Sequence, residues 1–173
     1  MQPYTVDTTI RHWFALYTKP RQEFKAEEQL KANGIEFYLP TVVRIKQWSD
    51  RKKKVKEPLL KSYIFVYGNE RERLIALEQY AIVRTIFFSG KPAIVPDWQI
   101  QNLRKMLEKS SDVTVTDQLK IGVPVKIISG PFKDIEGVVY ETVNRERMLA
   151  ITIDLLRRSV VVQIPRDSLV KKI

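Results

Sequence analysis

The chain of 173 residues contains no cysteine and a single histidine, His12. Without cysteine there is neither a disulfide framework nor a thiolate ligand for a metal ion. A zinc site would have to combine one imidazole with carboxylates, a ligand set that zinc seldom accepts. We therefore expect an intracellular protein with no metal site and no cofactor.

Long apolar segments are also missing. The longest stretch without a charged residue is residues 62–69, eight residues long, whereas a membrane-spanning helix needs ~20 apolar residues. No basic segment followed by an apolar one, the pattern of a secretory signal, opens the chain. The expectation is a soluble, cytoplasmic protein that does not contact membranes.

The motifs of common catalytic sites are absent. The sequence has no phosphate-binding G-x-x-x-x-G-K-[ST] or G-x-G-x-x-G loop and no G-x-S-x-G nucleophile elbow, and it contains only six glycines. A serine triad would need His12, for which a surface or capping role is the simpler interpretation. The adjacent Glu27 and Glu28 point about 100° apart on a helix, which favours a solvated face over a carboxylate pair. We expect no enzymatic activity.

Positive charge is the main feature of the composition. Lysine and arginine total 30 against 20 acidic residues, a net charge of +10, and hydrophobic residues at 44% permit a packed core. Such an excess is typical of proteins that bind polyanions or acidic protein surfaces. Residues 11–108 carry 19 basic and 11 acidic side chains, and much of the basic excess lies near residues 44–61.

Hydrophobic periodicity predicts an α+β domain over residues 11–108, in which helices flank an antiparallel sheet. Residues 12–17 are apolar on both faces, which is typical of a central strand. The other predicted elements are a helix from Pro20 to Asn33, a hairpin at 35–48 that resumes at Val55 and has a basic tip, strands at 62–67 and 82–88, and helices at 70–80 and 97–109.

The pattern changes after residue 108. Residues 1–10 are expected to form a loose N-terminal lead, and the small polar residues 109–118 a linker. Residues 119–173 contain only strand patterns, which predict a small closed barrel of five strands. The predicted strands are residues 123–128, 137–143, 148–153, 159–164 and a short one near 169–170.

Two stretches resemble a known family. Residues 121–139 form a strand, a Ser-Gly-Pro-Phe turn and a second strand beginning at Gly137, and they resemble a KOW motif. The succession of residues 13–21, 37–40, 57–66 and 90–96 resembles the NusG N-terminal domain. Together the resemblance covers residues 11–173 and implies a ferredoxin-like NusG N-terminal domain followed by an SH3-like KOW barrel.

Within that family, the amino-acid sequence resembles specialised paralogues more than housekeeping NusG. The Leu-Pro, Glu-Pro-Leu and Ser-Tyr-Ile-Phe-Val segments are similar to those of RfaH and of the UpxY-type regulators of capsular polysaccharide operons. Residues 47–53 resemble the UpxY group most. The resemblance implies a transcription elongation regulator that promotes processive transcription and antitermination, on specific operons such as those for polysaccharide biosynthesis.

The resemblance implies that the first domain binds RNA polymerase. A hydrophobic depression would receive the clamp helices of the β′ subunit, with Leu16 nearby, and its walls would be Phe14, Tyr17, Leu60, Tyr63 and Phe65. Aromatic residues at i and i+2 of one strand share a face, as a docking patch requires. The alternative is that Tyr63 and Phe65 simply pack under a helix.

Nucleic-acid contacts are implied as well. The surface for the non-template DNA strand would comprise Lys19, Arg21, Gln22, Lys25 and Gln29, with Gln79, Tyr80 and Arg84 opposite. Gln79 and Tyr80 differ from the corresponding residues of RfaH, so base readout should differ or be absent. A solvated charged helix face is the alternative.

The basic tip would contact upstream duplex DNA by counterion release, and a generic basic loop is the alternative. Its cations are Arg51, Lys52, Lys53 and Lys54. Residues 69–73 match the region that meets the β-subunit gate loop, but they lack the histidine-threonine element of RfaH. The chain therefore lacks, in the region that would meet the gate loop, the element that RfaH carries there.

The KOW domain of this family recruits Rho or the small-subunit ribosomal protein NusE. Phe132 and Ile135 lie in the matching loop, with Leu155 and Leu156 beside it, and core positions for Ile135 and Leu155 are the alternative. The many β-branched residues predict a β-barrel at rest rather than the helical hairpin that RfaH adopts.

Two other functions remain open at this point. One is a housekeeping NusG-type factor that acts with Rho, and the other is a ribosome-associated RNA-binding KOW protein. An exposed aromatic patch near Tyr63 favours polymerase binding, because an rRNA-binding protein needs no such pocket. We expect the protein to be a monomer.

Overall fold

The computed structural model describes residues 9–173, so most of the predicted N-terminal lead, residues 1–8, lies outside the described residues. The chain divides into two compact units. The first comprises residues 9–40 and 58–97, and the second comprises residues 41–57 and 98–173. No helix between residues 9 and 173 is both long and apolar enough to cross a membrane.

Three α-helices and fifteen strands occur in the described part of the chain. In chain order they are β1 (His12–Thr18), α1 (Glu23–Ala32), β2 (Glu36–Tyr38), β3 (Thr41–Gln47), β4 (Lys52–Pro58), β5 (Tyr63–Gly68), α2 (Glu70–Leu77), β6 (Ile82–Thr85), β7 (Phe87–Phe88), β8 (Lys91–Pro92), β9 (Ile94–Val95), α3 (Asp97–Lys109), β10 (Val113–Asp117), β11 (Val123–Ile127), β12 (Glu136–Glu141), β13 (Arg147–Ile153), β14 (Arg158–Gln163) and β15 (Val170–Lys172).

The first unit is built around β1. Strand order in its sheet is β2-β5-β1-β6, and β9 also pairs with β1, in each case antiparallel. The central position that the two apolar faces of residues 12–17 predict is confirmed. The prediction of helices beside an antiparallel sheet is confirmed for this unit as well.

One face of this sheet packs against α1 and α2. Phe14 and Leu16 of β1 lie beside Ile64 and Val66 of β5 in a buried cluster. The helices add small and branched apolar side chains to the same cluster, among them Ala26, Leu30 and Ala76. Ala26 and Leu30 are four residues apart and therefore share one face of α1. Because the helices cover this face, one set of alternate residues of β1 and β5 faces the core and the other set faces away from it.

The predicted strand 82–88 is interrupted. β6 ends at Thr85, and Phe87 then pairs with Pro92 in a separate short hairpin of β7 and β8. Ser89 and Gly90 both have positive φ values, 49° and 76°. Two consecutive positive φ values are typical of the tight turns that connect hairpin strands. The chain therefore reverses here instead of continuing along β1.

The second unit contains a six-stranded antiparallel sheet in the order β10-β14-β13-β12-β11-β15. Five of these strands were predicted, but β10 lies inside the predicted linker 109–118. Val113 pairs with Val162, and Thr116 pairs with Ser159. The alternating β-branched Val-Thr-Val-Thr sequence favours a strand, although its polar composition resembles that of a linker.

The second unit includes α3 from Trp98 onward and the β3–β4 hairpin. The sequence pattern instead assigns both elements to a first domain that ends at residue 108. On α3, Asn102 Nδ2 donates to the carbonyl of Glu136 at 3.2 Å, and Gln99 Nε2 donates to Asp154 Oδ2 at 3.1 Å. From the hairpin, the Arg44 guanidinium donates to the carbonyl of Val113. These polar contacts attach both elements to the six-stranded sheet.

Candidate functional site

The face of the first sheet opposite the helix-packed core is rich in aromatic rings. In the β1–β5 register, Tyr17 lies opposite Tyr63, and Trp13 lies opposite Tyr67. Their ring centroids are 5.5 Å and 5.1 Å apart, and the rings of Tyr38 and Phe65 are 6.3 Å apart. We call this set the aromatic face; its members are Trp13, Tyr17, Tyr38, Tyr63, Phe65 and Tyr67.

The five residues predicted to contact polymerase do not all lie together. Tyr17 and Tyr63 are half-buried neighbours, whereas Phe65 beside them is 0% exposed. Leu60 is buried in the turn that precedes β5. Phe14 points into the core on the other face, with Leu16. The accessible part of the predicted depression is therefore the Tyr17–Tyr63 pair.

Arg84 borders this pair. It lies opposite Tyr17 in the β1–β6 register, and its guanidinium carbon is 5.7 Å from the centre of the Tyr17 ring. A cation over the face of an aromatic ring is attracted by the ring quadrupole. Arg84, predicted to face nucleic acid, thus places an exposed positive charge at the edge of the aromatic face.

Lys19 and Tyr80 meet where β1 ends. The Lys19 Nζ lies 3.2 Å from the centre of the Tyr80 ring, and Tyr80 is 68% exposed. The backbone N–H of Lys19 donates to the carbonyl of Ala81 at 2.9 Å, and Gln29 Oε1 accepts from the N–H of Ala81 at 3.0 Å. An exposed ring with a cation beside it is suited to bind an unpaired base and its phosphate.

The other predicted non-template-strand residues differ in accessibility. Arg21 and Lys25 are exposed, and Lys25 pairs with Glu28 at 3.5 Å. Gln22 precedes α1 at its N-cap position, and its buried Oε1 has no hydrogen-bond partner among residues 9–173. Gln79 accepts from Asn33 Nδ2 at 3.1 Å and donates to the carbonyl of Ile75. Gln79 is therefore held by the fold.

The predicted basic hairpin tip is present. The N–H of Trp48 donates to the carbonyl of Arg51 at 2.8 Å, which closes the turn between β3 and β4. Lys53 Nζ lies 4.9 Å from the centre of the Trp48 ring. Side chains alternate between the two faces of a strand, so Lys52 and Lys54 lie on the face of β4 opposite Lys53. Within residues 9–173 none of these three lysines forms an ion pair, while Arg51 pairs with Asp50 at 3.9 Å.

The start of α2, which matches the gate-loop region, uses its charges within the fold. Glu72 accepts from the guanidinium of Arg11 at 3.2 Å and, with Asn69, forms a capping box. The buried Arg73 pairs with Glu70 and donates to Thr85 Oγ1 at 2.8 Å. Among residues 69–73, Arg71 is the one exposed residue.

The two residues predicted to bind a partner in the second unit are buried. Phe132 is 5% exposed and Ile135 is 1% exposed, in the turn between β11 and β12. Leu156 is buried and Leu155 is half-buried. Ile135 thus agrees with the core alternative, and neither Phe132 nor Ile135 presents its side chain to solvent.

Sequence reasoning missed two exposed apolar features. One is the tip of the β7–β8 hairpin, where Phe88 is 74% exposed, and the other is a groove beside β11. The double Phe next to a Ser-Gly turn signal could have indicated the first. The second depends on which residues several strands bring together. In the part of the chain that is described, no group of three or more potential metal ligands occurs.

Comparison with known proteins places the fold. A family model described as Transcription termination factor nusG matches residues 11–104, more than half of the chain. The chain belongs to the NusG family. Members of this family are transcription factors rather than enzymes, and they generally bind RNA polymerase.

A solved structure agrees with that assignment at the level of the fold. A structure from work on domain interaction in Thermotoga maritima NusG is 24% identical and has a TM-score of 0.52. The match covers 96% of this chain and 99% of that one. A structure of the MjSpt4:Spt5 complex is 15% identical over 93% of this chain and 97% of that one, and its TM-score of 0.33 is too low to establish a shared fold.

Proposed function

We propose that this NusG-family protein is a transcription elongation regulator that binds RNA polymerase through Tyr17 and Tyr63. The observation that carries the proposal is this pair of half-buried rings, 5.5 Å apart, on the face opposite the helix-packed core. Aromatic side chains that are firmly held yet accessible are the typical anchors of protein interfaces. The clamp helices of the β′ subunit are the proposed partner, as the family resemblance implies.

The proposed mechanism is mechanical. By holding the clamp closed around DNA, the first unit would reduce pausing and termination and so promote processive transcription. The half-buried Lys19 and the exposed Tyr80 would hold the non-template strand, because a lysine can neutralise phosphate while an exposed ring stacks on a base. Lys52, Lys53 and Lys54, which form no ion pair within residues 9–173, would contact upstream duplex DNA.

The finer assignment follows the resemblance of residues 47–53 to UpxY-type regulators. These residues form the tip of the β3–β4 hairpin, where an exposed Trp48 lies beside Lys53. We propose that the protein is an antiterminator of specific operons, such as those for polysaccharide biosynthesis. The six-stranded unit would be a KOW domain that recruits a further protein, with NusE and Rho as the candidates.

The experiment measures the affinity of the full chain for purified core RNA polymerase. The Tyr17→Ala/Tyr63→Ala variant should lose binding by roughly a hundredfold, since each lost interface anchor costs more than 1 kcal/mol. The matched control is Phe87→Ala/Phe88→Ala, which removes two exposed rings from the same unit. Near-normal affinity of the tyrosine variant, with its fold intact, would reject the proposed surface.

A readthrough assay tests the direction of the effect. With reconstituted elongation complexes, the wild-type chain should increase passage through pause and terminator sites, and the tyrosine variant should not. Adding Rho separates the housekeeping alternative. Increased termination in the presence of Rho would contradict antitermination while leaving polymerase binding intact.

A further inference from the structure

A groove of about 910 Å³ opens on the six-stranded unit. Its walls come from the segment before β11, from β11, β12, the start of β13 and β15, and from the β12–β13 and β14–β15 connections, which supply Arg145 and Arg166. The lining residues are Leu119, Ile121, Gly122, Val123, Val125, Val139, Tyr140, Glu141, Arg145, Arg147, Arg166, Val170 and Lys172. Phe132 and Ile135, the residues predicted to contact a KOW partner, do not line it.

The walls of this groove are aliphatic and accessible. Val125 forms a buried floor at 2% exposure, whereas Ile121 is 81% exposed and Val123 is 42% exposed. Solvated aliphatic side chains gathered around a concave surface gain free energy when another apolar group covers them. The groove therefore favours a ligand that carries apolar side chains.

A close backbone approach at Gly122 builds one wall. Gly122 has φ +131°, and a Cβ atom added there would lie 2.3 Å from Val138 Cγ1 and 2.9 Å from the carbonyl oxygen of Val139. Only glycine permits both this backbone conformation and this approach. The segment that carries Ile121 is thus held directly against β12.

Positive charge surrounds the aliphatic walls. Arg145, Arg166 and Lys172 are exposed, and within residues 9–173 none of them forms an ion pair. The Arg147 guanidinium is fixed by two backbone carbonyls, that of Arg166 at 3.1 Å and that of Ser168 at 2.7 Å. Glu141 is the single carboxylate among the lining residues. The rim is therefore complementary to a ligand with several negative charges.

We propose that this groove binds an acidic amphipathic segment of a partner protein. Apolar side chains of the segment would cover Ile121, Val123 and Val139, and its carboxylates would meet Arg145, Arg166 and Lys172. A nucleic acid fits less well, because base stacking needs aromatic platforms and Tyr140 is the one aromatic residue in the lining. A second copy of this chain is also disfavoured, since its net charge is +10.

The test uses the full chain and a defined peptide. The probe is a short fluorescent peptide in which two leucines one helical turn apart are flanked by aspartate and glutamate, and binding is followed by anisotropy. Two matched peptides replace the leucines by alanine or the acidic residues by glutamine. Both changes should weaken binding by roughly tenfold or more, because the groove supplies apolar surface and charge together.

Protein variants locate the site. Arg145→Glu/Arg166→Glu should weaken binding of the acidic probe by roughly tenfold or more, and the control Lys133→Glu/Lys171→Glu, with the same change in net charge, should not. Ile121→Ser should weaken binding more than Val143→Ser, a control at a fully exposed residue outside the groove. Circular dichroism and thermal unfolding establish that each variant is folded.

Three outcomes would overturn the proposal. The first is no measurable binding of the leucine-containing acidic peptide, and the second is equal binding of the leucine and alanine peptides, which would indicate charge attraction alone. The third is tighter binding of a single-stranded RNA oligonucleotide of the same length that Arg145→Glu/Arg166→Glu abolishes. None of these outcomes depends on polymerase binding, so failure here leaves the proposed function standing.

Discussion

Neighbouring residues of β1 and β5 belong to two different surfaces. Phe14, Leu16, Ile64 and Val66 are sealed beneath α1 and α2, whereas Trp13, Tyr17, Tyr63 and Tyr67 form the aromatic face on the other side of the same strands. The sealed face is mainly aliphatic on β1 and β5, with Phe14 as the aromatic residue of these two strands, and Phe24 and Phe37 pack against it. The aromatic face, which also includes Phe65 and Tyr38, carries four half-buried tyrosines.

This difference separates stability from recognition within a single pair of strands. Side chains alternate across a sheet, so the two sets point in opposite directions although they are adjacent in sequence. Aliphatic packing is maximised where helices cover the sheet. Tyrosine, which combines a large apolar ring with a polar tip, is suited to the face that stays partly in contact with water.

Two expected effects are the largest, and the first lies on the sealed face. Leu16→Ala removes a fully buried side chain and should lower the free energy of unfolding by about 2–5 kcal/mol. Urea denaturation of the full chain gives this value. The comparison breaks if Leu16→Ala costs no more than Tyr17→Ala, whose half-buried ring leaves a smaller cavity.

The next effect distinguishes two residues of the aromatic face itself. Phe65 is fully buried and Tyr63 is half-buried, so Phe65→Ala should cost about 3–5 kcal/mol and Tyr63→Ala clearly less. Tyr63→Ala should nevertheless reduce polymerase affinity more than Tyr63→Phe, which keeps the ring. Equal unfolding free energies for Phe65→Ala and Tyr63→Ala would show that burial does not separate the two positions.

Sequence patterns predicted much of this arrangement. Apolar residues on both faces of 12–17 indicated a central strand, and the i, i+2 spacing of Tyr63 and Phe65 correctly placed both on one face. The same pattern could not tell which face the helices would cover. The family resemblance grouped Phe14 with Tyr17, although the two residues alternate across β1 and Phe14 packs on the opposite side with Leu16.

The second unit exposes a similar limit. Its strand-rich pattern was correct, but β10 was read as a linker because threonine and aspartate alternate with its valines. Pairing with β14 gives those residues partners that lie 41 to 49 positions away along the chain, which no local pattern reports. The groove was missed for the same reason, since its walls combine residues from four strands and from the segments that connect them.

A smaller effect concerns Lys19, just beyond the end of β1. Lys19→Ala should reduce the dependence of log affinity on log salt for a single-stranded DNA by about 0.7, the loss of one phosphate contact. The control Lys31→Ala removes an equally charged, exposed side chain from α1 and should leave the slope unchanged. Identical slopes for the wild type and Lys19→Ala would indicate that Lys19 contacts no phosphate.

The smallest effect belongs to Tyr140 on β12. Burial raises the pKa of the Tyr140 phenol above its ordinary value of 10.0. The folded chain thus holds this proton more tightly than the unfolded chain, so the contribution is fully present below pH 10.0 and is lost as the pH rises through the folded pKa. Ultraviolet titration of the wild type against Tyr140→Phe should show loss of a late-titrating phenol. A missing phenol that titrates early would contradict the burial effect.

The central claim is that the accessible tyrosines of the aromatic face contact polymerase. A photo-reactive phenylalanine analogue at position 63, in a chain bound to a reconstituted elongation complex, tests this most directly. We expect crosslinks to the clamp helices of the β′ subunit, and none from the same analogue at position 88. Crosslinks from position 88 but not from position 63 would contradict it.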